Sequence, residues 1–251
     1  SDLSEIKKHR MSLKEFQQAF ADLVANGDFC RAVKQNPELL DEKYVLTSLE
    51  KDRIIFLLQQ SRGIGTSCML YQINRFTPLY DLMPYTCNIL GERTREYTRQ
   101  FWAYYPKSNF QFKDEVMIFS QFLLEQIALG NINHIPILES LVNLEMAGNC
   151  IRFAVTDNVP SQAVIFLESL GTANRLLFSR YDVVQMLAAL DQLGAGVPVD
   201  YEAIAAVNCF SLVHFTDRRF AVQMLSDAEA TAIIEERMDK AQLNVLLATL
   251  V

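Results

Sequence analysis

Apolar residues recur at three- and four-residue spacing along the first 150 positions, which is the mark of helices with one buried stripe. Ser12 and Glu15 form a capping box, and Leu13, Phe16, Phe20, Leu23 and Val24 follow at helical spacing until Asn26-Gly27. A second short helix opens at Asp28, carries Phe29, Ala32 and Val33, and ends before Pro37; Leu39 to Val45 reads as a loop. Thr47 and Glu50 cap the next helix, with Leu49, Arg53, Ile54, Leu57 and Leu58 along it, and Gly63 and Gly65 close it. Thr77-Pro78 and Met83-Pro84 then divide the following stretch into helical pieces. From Pro84 a single stripe runs through Cys87, Leu90, Thr94, Tyr97, Phe101 and Tyr104. Phe112–Leu129 is helical, Gly130 to His134 a turn, and Pro136 opens a helix with Ile137, Leu138, Leu141, Leu144 and Ala147 on its apolar face.

The pattern changes after Cys150. Thr156 to Ser161 is polar, contains Pro160 and marks a boundary, so the chain divides into 1–155, all helical, and 156–251. In the second part a short strand is predicted at Asn174–Ser179 and a helix at Tyr181–Leu193, followed by the loop Gly194-Ala195-Gly196. Phe210–Phe215, the turn Thr216 to Arg219, and Phe220–Leu225 read as a β-hairpin, with Phe220, Val222 and Met224 on one face of the second strand. Ser226 and Glu229 cap a helix to about Asp239, and the apolar tail Leu243 to Val251 packs back as a strand or helix. Helices followed by a small hairpin-bearing sheet make an α+β fold.

Composition narrows the function classes. Half of the 251 residues are hydrophobic and 21% charged, so the chain can bury a substantial core and is not a disordered segment. No apolar run approaches the ~18 residues of a membrane span, and no signal-peptide pattern opens the chain. Five cysteines stand far apart with no CxxC pair, which favours buried thiols in a reducing cytoplasm over disulfides or a zinc site. The net charge of −7 weighs against a general affinity for nucleic acid.

Catalytic patterns are not evident. His9, His134 and His214 are scattered, with no carboxylate or cysteine at ligand spacing. Gly63-Ile64-Gly65 does not follow a strand and lacks the third glycine of a dinucleotide loop. Glu92 and Glu96 lie among Arg93, Arg95 and Arg99, as solvated ion pairs do. The stretch Gly63–Pro106 instead combines the only tryptophan, Trp102, with many Tyr and Phe residues and arginines. Trp, Tyr and Arg are the side chains that contribute most when a partner desolvates them, so this stretch reads as a docking face. Its candidate interface residues are Tyr71, Asn74, Arg75, Phe76, Tyr80, Arg95, Arg99, Trp102 and Tyr105.

The run Leu70-Tyr71-Gln72-Ile73-Asn74-Arg75-Phe76-Thr77-Pro78-Leu79, then Leu82 to Cys87, Leu90-Gly91-Glu92 and Phe101-Trp102, resembles the partner subunits of methanobactin biosynthesis. It is similar also to the wider set of accessory proteins encoded beside multinuclear non-haem iron oxidases. Leu138 to Glu145 resembles a helix of that wider set, with Met146 in place of its usual Trp, and the hairpin from Leu212 to Leu225 is similar to its C-terminal module. The resemblance implies a cytoplasmic, non-catalytic subunit of a heterodimer. Its partner would be a TIM-barrel oxidase holding two or three irons, with no cofactor in this chain. The substrate would be a ribosomally made precursor peptide whose cysteines become oxazolone and thioamide groups that bind copper. This chain would hold the leader of that peptide, with the hairpin residues Leu212, Val213, His214, Phe215, Phe220, Val222 and Met224 as the platform for strand addition. Two other classes remain open at this point: a DNA-binding transcriptional regulator, and an enzyme whose groups meet only in three dimensions.

Overall fold

A computed structural model describes residues 3–60, 63–108, 111–194, 196–216 and 219–236, with side chains from Lys14 onward except that of Thr216. The fold is α+β: helices throughout and one antiparallel sheet in the C-terminal part. In order the elements are α1 (Leu3–Ala25), α2 (Gly27–Gln35), α3 (Leu39–Lys43), α4 (Ser48–Gln59), α5 (Ile64–Leu82), α6 (Pro84–Leu90), α7 (Thr94–Tyr104), α8 (Phe112–Ala128) and α9 (Leu138–Arg152). Then follow β1 (Val164–Ile165), β2 (Asn174–Tyr181), α10 (Val183–Gly194), β3 (Ala206–Thr216), β4 (Arg219–Leu225) and α11 (Asp227–Ile234). Short 3₁₀ turns occupy Gly91–Arg93, Glu168–Leu170 and Tyr201–Ala203. No helix among the described residues is long and apolar enough to cross a membrane. The expected packing of Leu243–Val251 and the turn residues Asp217 and Arg218 lie outside the described residues.

Several local expectations are changed. α1 is already helical before Ser12, so Ser12 and Glu15 do not open it. The stretch read as a loop after Leu39 holds α3, and Gly65 lies inside α5 rather than beyond the end of α4. Pro78 also lies inside α5 instead of dividing it. Thr77 Oγ1 donates to the carbonyl of Ile73 at 2.9 Å, a side-chain bond within the turn where the proline ring crowds the ladder. The single helix expected from Pro84 is two, because Gly91 takes φ +54° and ends α6 before α7 begins. Both remaining capping boxes are present: Thr47 with Glu50 on α4, and Ser226 with Glu229 on α11.

The chain forms two compact units, residues 1–77 with 98–110, and residues 78–97 with 111–251. This division differs from a cut at 155/156, since α8 and α9 belong with the sheet. In the first unit Ala19, Leu23, Val33, Leu40, Ile54 and Leu58 form a core. Cys68 lies in it and donates its thiol to the carbonyl of Leu23; burial pushes that thiol up to about 12.

In the second unit the strand order is β1-β2-β3-β4, every pair antiparallel. One sheet face, with Leu176, Leu212 and Leu225, packs on Ala230 and Ile233 of α11. The other face carries Arg175, Phe215 and Phe220 toward α9, where Gly148 leaves room for the Phe220 ring: a Cβ there would meet Phe220 Cε1 at 2.8 Å. α9 closes in a Schellman motif, in which Val155 N donates to Cys150 O at 2.8 Å and Ala154 N to Ile151 O at 3.2 Å. Ala154 there has φ +50°, a conformation that suits glycine. Ala154→Gly is expected to stabilise the fold by about 0.5–1 kcal/mol. A melting temperature that does not rise would contradict this.

Candidate functional site

The residues marked out in the sequence separate into three groups. In the first unit, Arg75 is 2% exposed and its guanidinium lies 5.3 Å from the Phe101 ring centroid, 5.6 Å from that of Trp102 and 5.9 Å from that of Tyr71. Phe76 meets Trp102 edge-on at 6.4 Å, and Tyr105 packs on Phe101 at 5.5 Å. Tyr71 accepts from the backbone of Ser108 and points its hydroxyl toward the carbonyl of Pro106. Arg75 is therefore not a surface group: its charge is covered by rings that hold α5 and α7 residues of this unit together. Phe76, Trp102, Tyr71 and Tyr105 are half-buried, whereas Asn74, Arg99, Tyr80 and Arg95 are exposed.

The sequence reading missed the apolar side chains that do reach solvent. Met69, Leu70 and Ile73 are 55%, 52% and 48% exposed, and their one- and three-residue steps place them on one face of α5. Tyr104, assigned to a buried stripe by its spacing, is exposed. Spacing alone does not distinguish an apolar face that meets the core from one that meets water.

The second group is the hairpin. β3 is paired on both sides, Val213 with Arg175 of β2 and with Val222 of β4, so its backbone has no free edge. Leu212 and Val213 are fully buried. The His214 ring contacts Asn174 Oδ1 and the carbonyl of Ala173 through Nδ1, at 3.1 and 3.0 Å; the Phe215 and Phe220 rings pack at a tilt with centroids 4.7 Å apart, and Arg152 lies over Phe215. These side chains build the sheet; as a place for strand addition, β3 is excluded. β4, with Phe220, Val222 and Met224, is the last strand in the order among the described residues and keeps an edge in the sense that strand addition needs.

The third group was not anticipated. Every residue of α9 from Ser140 to Cys150 is buried, including four polar ones. Ser140 Oγ accepts from the backbone of Arg180 at 3.3 Å. Glu145 accepts from the backbone of Tyr85 at 2.8 Å and of Thr86 at 2.9 Å, and thereby caps α6, whose N-cap residue Met83 has no side-chain acceptor. Burial pushes the Glu145 carboxyl up to about 7, against the opposing pull of those same hydrogen bonds. Asn149 Nδ2 donates to the carbonyl of Leu82 at 2.8 Å. The fourth, Asn143, is 3% exposed, and its Oδ1 has no hydrogen-bond partner among the described residues. It lines a cavity of about 830 Å³ together with Ser140, Gln162, Phe178, Phe210 and residues of α8.

Arg175 of β2 is likewise fully buried. It donates to the carbonyls of Thr172, Asn174, Cys150 and Val155, so it supplements the Schellman motif at the end of α9 with a positive charge. All five cysteines are buried thiols. Among the described residues no group of three or more His, Cys, Asp or Glu side chains is arranged to hold a metal ion. Comparison with protein-family models found no match, and comparison with curated proteins found none either.

Proposed function

We propose that this chain is the non-catalytic partner subunit of an iron-dependent, peptide-modifying oxidase, which binds a ribosomally made precursor peptide and presents its cysteines to the partner. In this reading iron belongs to the partner, and the product is a copper-chelating, methanobactin-like peptide. The observation that carries it is the exposed apolar face Met69, Leu70 and Ile73 on α5, because it falls within the stretch whose motifs resemble such partner subunits. Grouped apolar side chains on a helix face are what an obligate partner covers, burying on the order of 2,000 Å² or more in total. Holding the peptide raises the effective concentration of each cysteine at the partner's metal with no chemistry in this chain.

The test is co-expression with a multinuclear non-haem iron oxidase of the methanobactin type. The two chains are expected to elute as a one-to-one complex, and Leu70→Glu with Ile73→Glu is expected to weaken the complex by about a hundredfold or more while leaving the circular dichroism unchanged. Separate elution of the wild-type chains would remove the proposal.

A further inference from the structure

We propose that this chain pairs with a second copy of itself through the exposed face of α4, the two helices running antiparallel. Leu49 and Phe56 of α4 are 59% and 60% exposed, although both are large and apolar. Asp52 and Arg53 lie between them at helical spacing, so the four side chains share one face. The buried residues Ile54 and Leu58 hold the opposite face to the core. Beside the exposed face lies an apolar pit of about 340 Å³, lined by Asp52, Arg53, Phe56 and Leu57 of α4 and by Phe16 of α1. An apolar face with a pit beside it is a surface that a partner side chain can enter.

Charge selects the occupant. Neither Asp52 nor Arg53 forms an ion pair among the described residues, so a partner meets one carboxylate and one guanidinium side by side. The face is symmetric about the midpoint of these two: Leu49 stands three residues before Asp52, and Phe56 three after Arg53. In a two-fold contact, residue i of one copy meets residue j of the other and j meets i. An antiparallel copy centred on that midpoint therefore sets Leu49 against Phe56 and Asp52 against Arg53, each pair occurring twice. A parallel copy in register would set Asp52 on Asp52 and Arg53 on Arg53, which like-charge repulsion disfavours. A uniformly acidic or basic partner would match only one of the two charges. Leu49 of the second copy, facing Phe56, is brought to the pit that Phe56 lines.

The experiment is sedimentation velocity on the full chain alone, as a function of concentration. Wild type is expected to show a monomer–dimer equilibrium with a dissociation constant of about 1–100 µM, because two helices of 12 residues make an interface at the small end of the range. Asp52→Arg and Arg53→Asp, each by itself, put like charges across the axis twice and are expected to dimerise about tenfold more weakly or worse. Mixed in equal amounts, the two variants regain opposite charges at both contacts and are expected to pair as tightly as wild type. Both side chains are exposed, so circular dichroism is expected to be unchanged in either variant. Leu49→Ala is expected to weaken the dimer about tenfold. A wild-type chain that stays monomeric at every concentration would overturn the proposal, as would a mixture that pairs no more tightly than either variant alone. So would self-association that survives both charge reversals and is lost by Leu70→Glu with Ile73→Glu, since α5 would then be the face in use. The result is independent of the proposed function, which is tested by co-elution with the oxidase.

Discussion

Glu145→Ala is expected to lower the unfolding free energy by about 3–5 kcal/mol at pH 5, read from urea denaturation. The side chain is fully buried, so its removal leaves a cavity in a helix that is enclosed on every side. It also leaves the N–H groups of Tyr85 and Thr86 without an acceptor, at about 1–3 kcal/mol each, because Met83 at the N-cap of α6 cannot supply one. Glu145→Gln retains the shape but has a single oxygen where two are used, so an amide N–H₂ faces one of the backbone donors. A loss of about 1–3 kcal/mol is expected for it.

The same residue sets a pH dependence. With its folded pKa raised to about 7 from the ordinary 4.5, the native state keeps the proton where the unfolded chain has released it. Stability is therefore greatest below about pH 4.5 as far as this group is concerned, falls as pH rises toward 7, and is level above it. The shift corresponds to about 3 kcal/mol. Both substitutions remove this dependence, so the gap between wild type and Glu145→Ala should narrow by about that amount between pH 5 and pH 8. A gap that is constant with pH would show that the carboxyl is ionised throughout.

The elements legible in the sequence are those specified by neighbours. Thr47 with Glu50 and Ser226 with Glu229 announce helix starts within four residues, and the alternation around Phe220, Val222 and Met224 announces a strand. What was illegible depends on residues far apart. Glu145 and Asn149 look like solvent-facing positions of an amphipathic helix until segments about 60 residues earlier provide their partners. Arg75 and Arg175 carry the charge that normally marks a surface, and the rings around the first and the carbonyls around the second make burial tolerable. β1, two residues long, has no periodicity to detect. The unused acceptor of Asn143 is a property of packing alone.

Arg175→Ala is expected to be comparably damaging, about 3–5 kcal/mol, with the loss concentrated in the sheet. Arg175 has no exposed surface, and its two terminal nitrogens bind four carbonyls, among them Cys150 and Val155 at the end of α9 and Thr172 ahead of β2. The Phe166 ring covers the guanidinium at 4.9 Å. Truncation removes charge-assisted bonds worth about 1.5–3 kcal/mol each before desolvation of the arginine is set against them, and it opens space beneath Phe166. Arg175→Lys retains the charge but replaces a fork by a single nitrogen that cannot reach both strand and helix carbonyls, so a loss of about 1–3 kcal/mol is expected. Arg175→Met separates packing from charge: it fills the same volume, releases the buried cation and leaves the carbonyls unmatched. If the four bonds outweigh the burial of the charge, the methionine variant falls between wild type and alanine. Should it equal or exceed wild type in urea midpoint, the arginine joins β2 to α9 in a defined geometry without adding net stability.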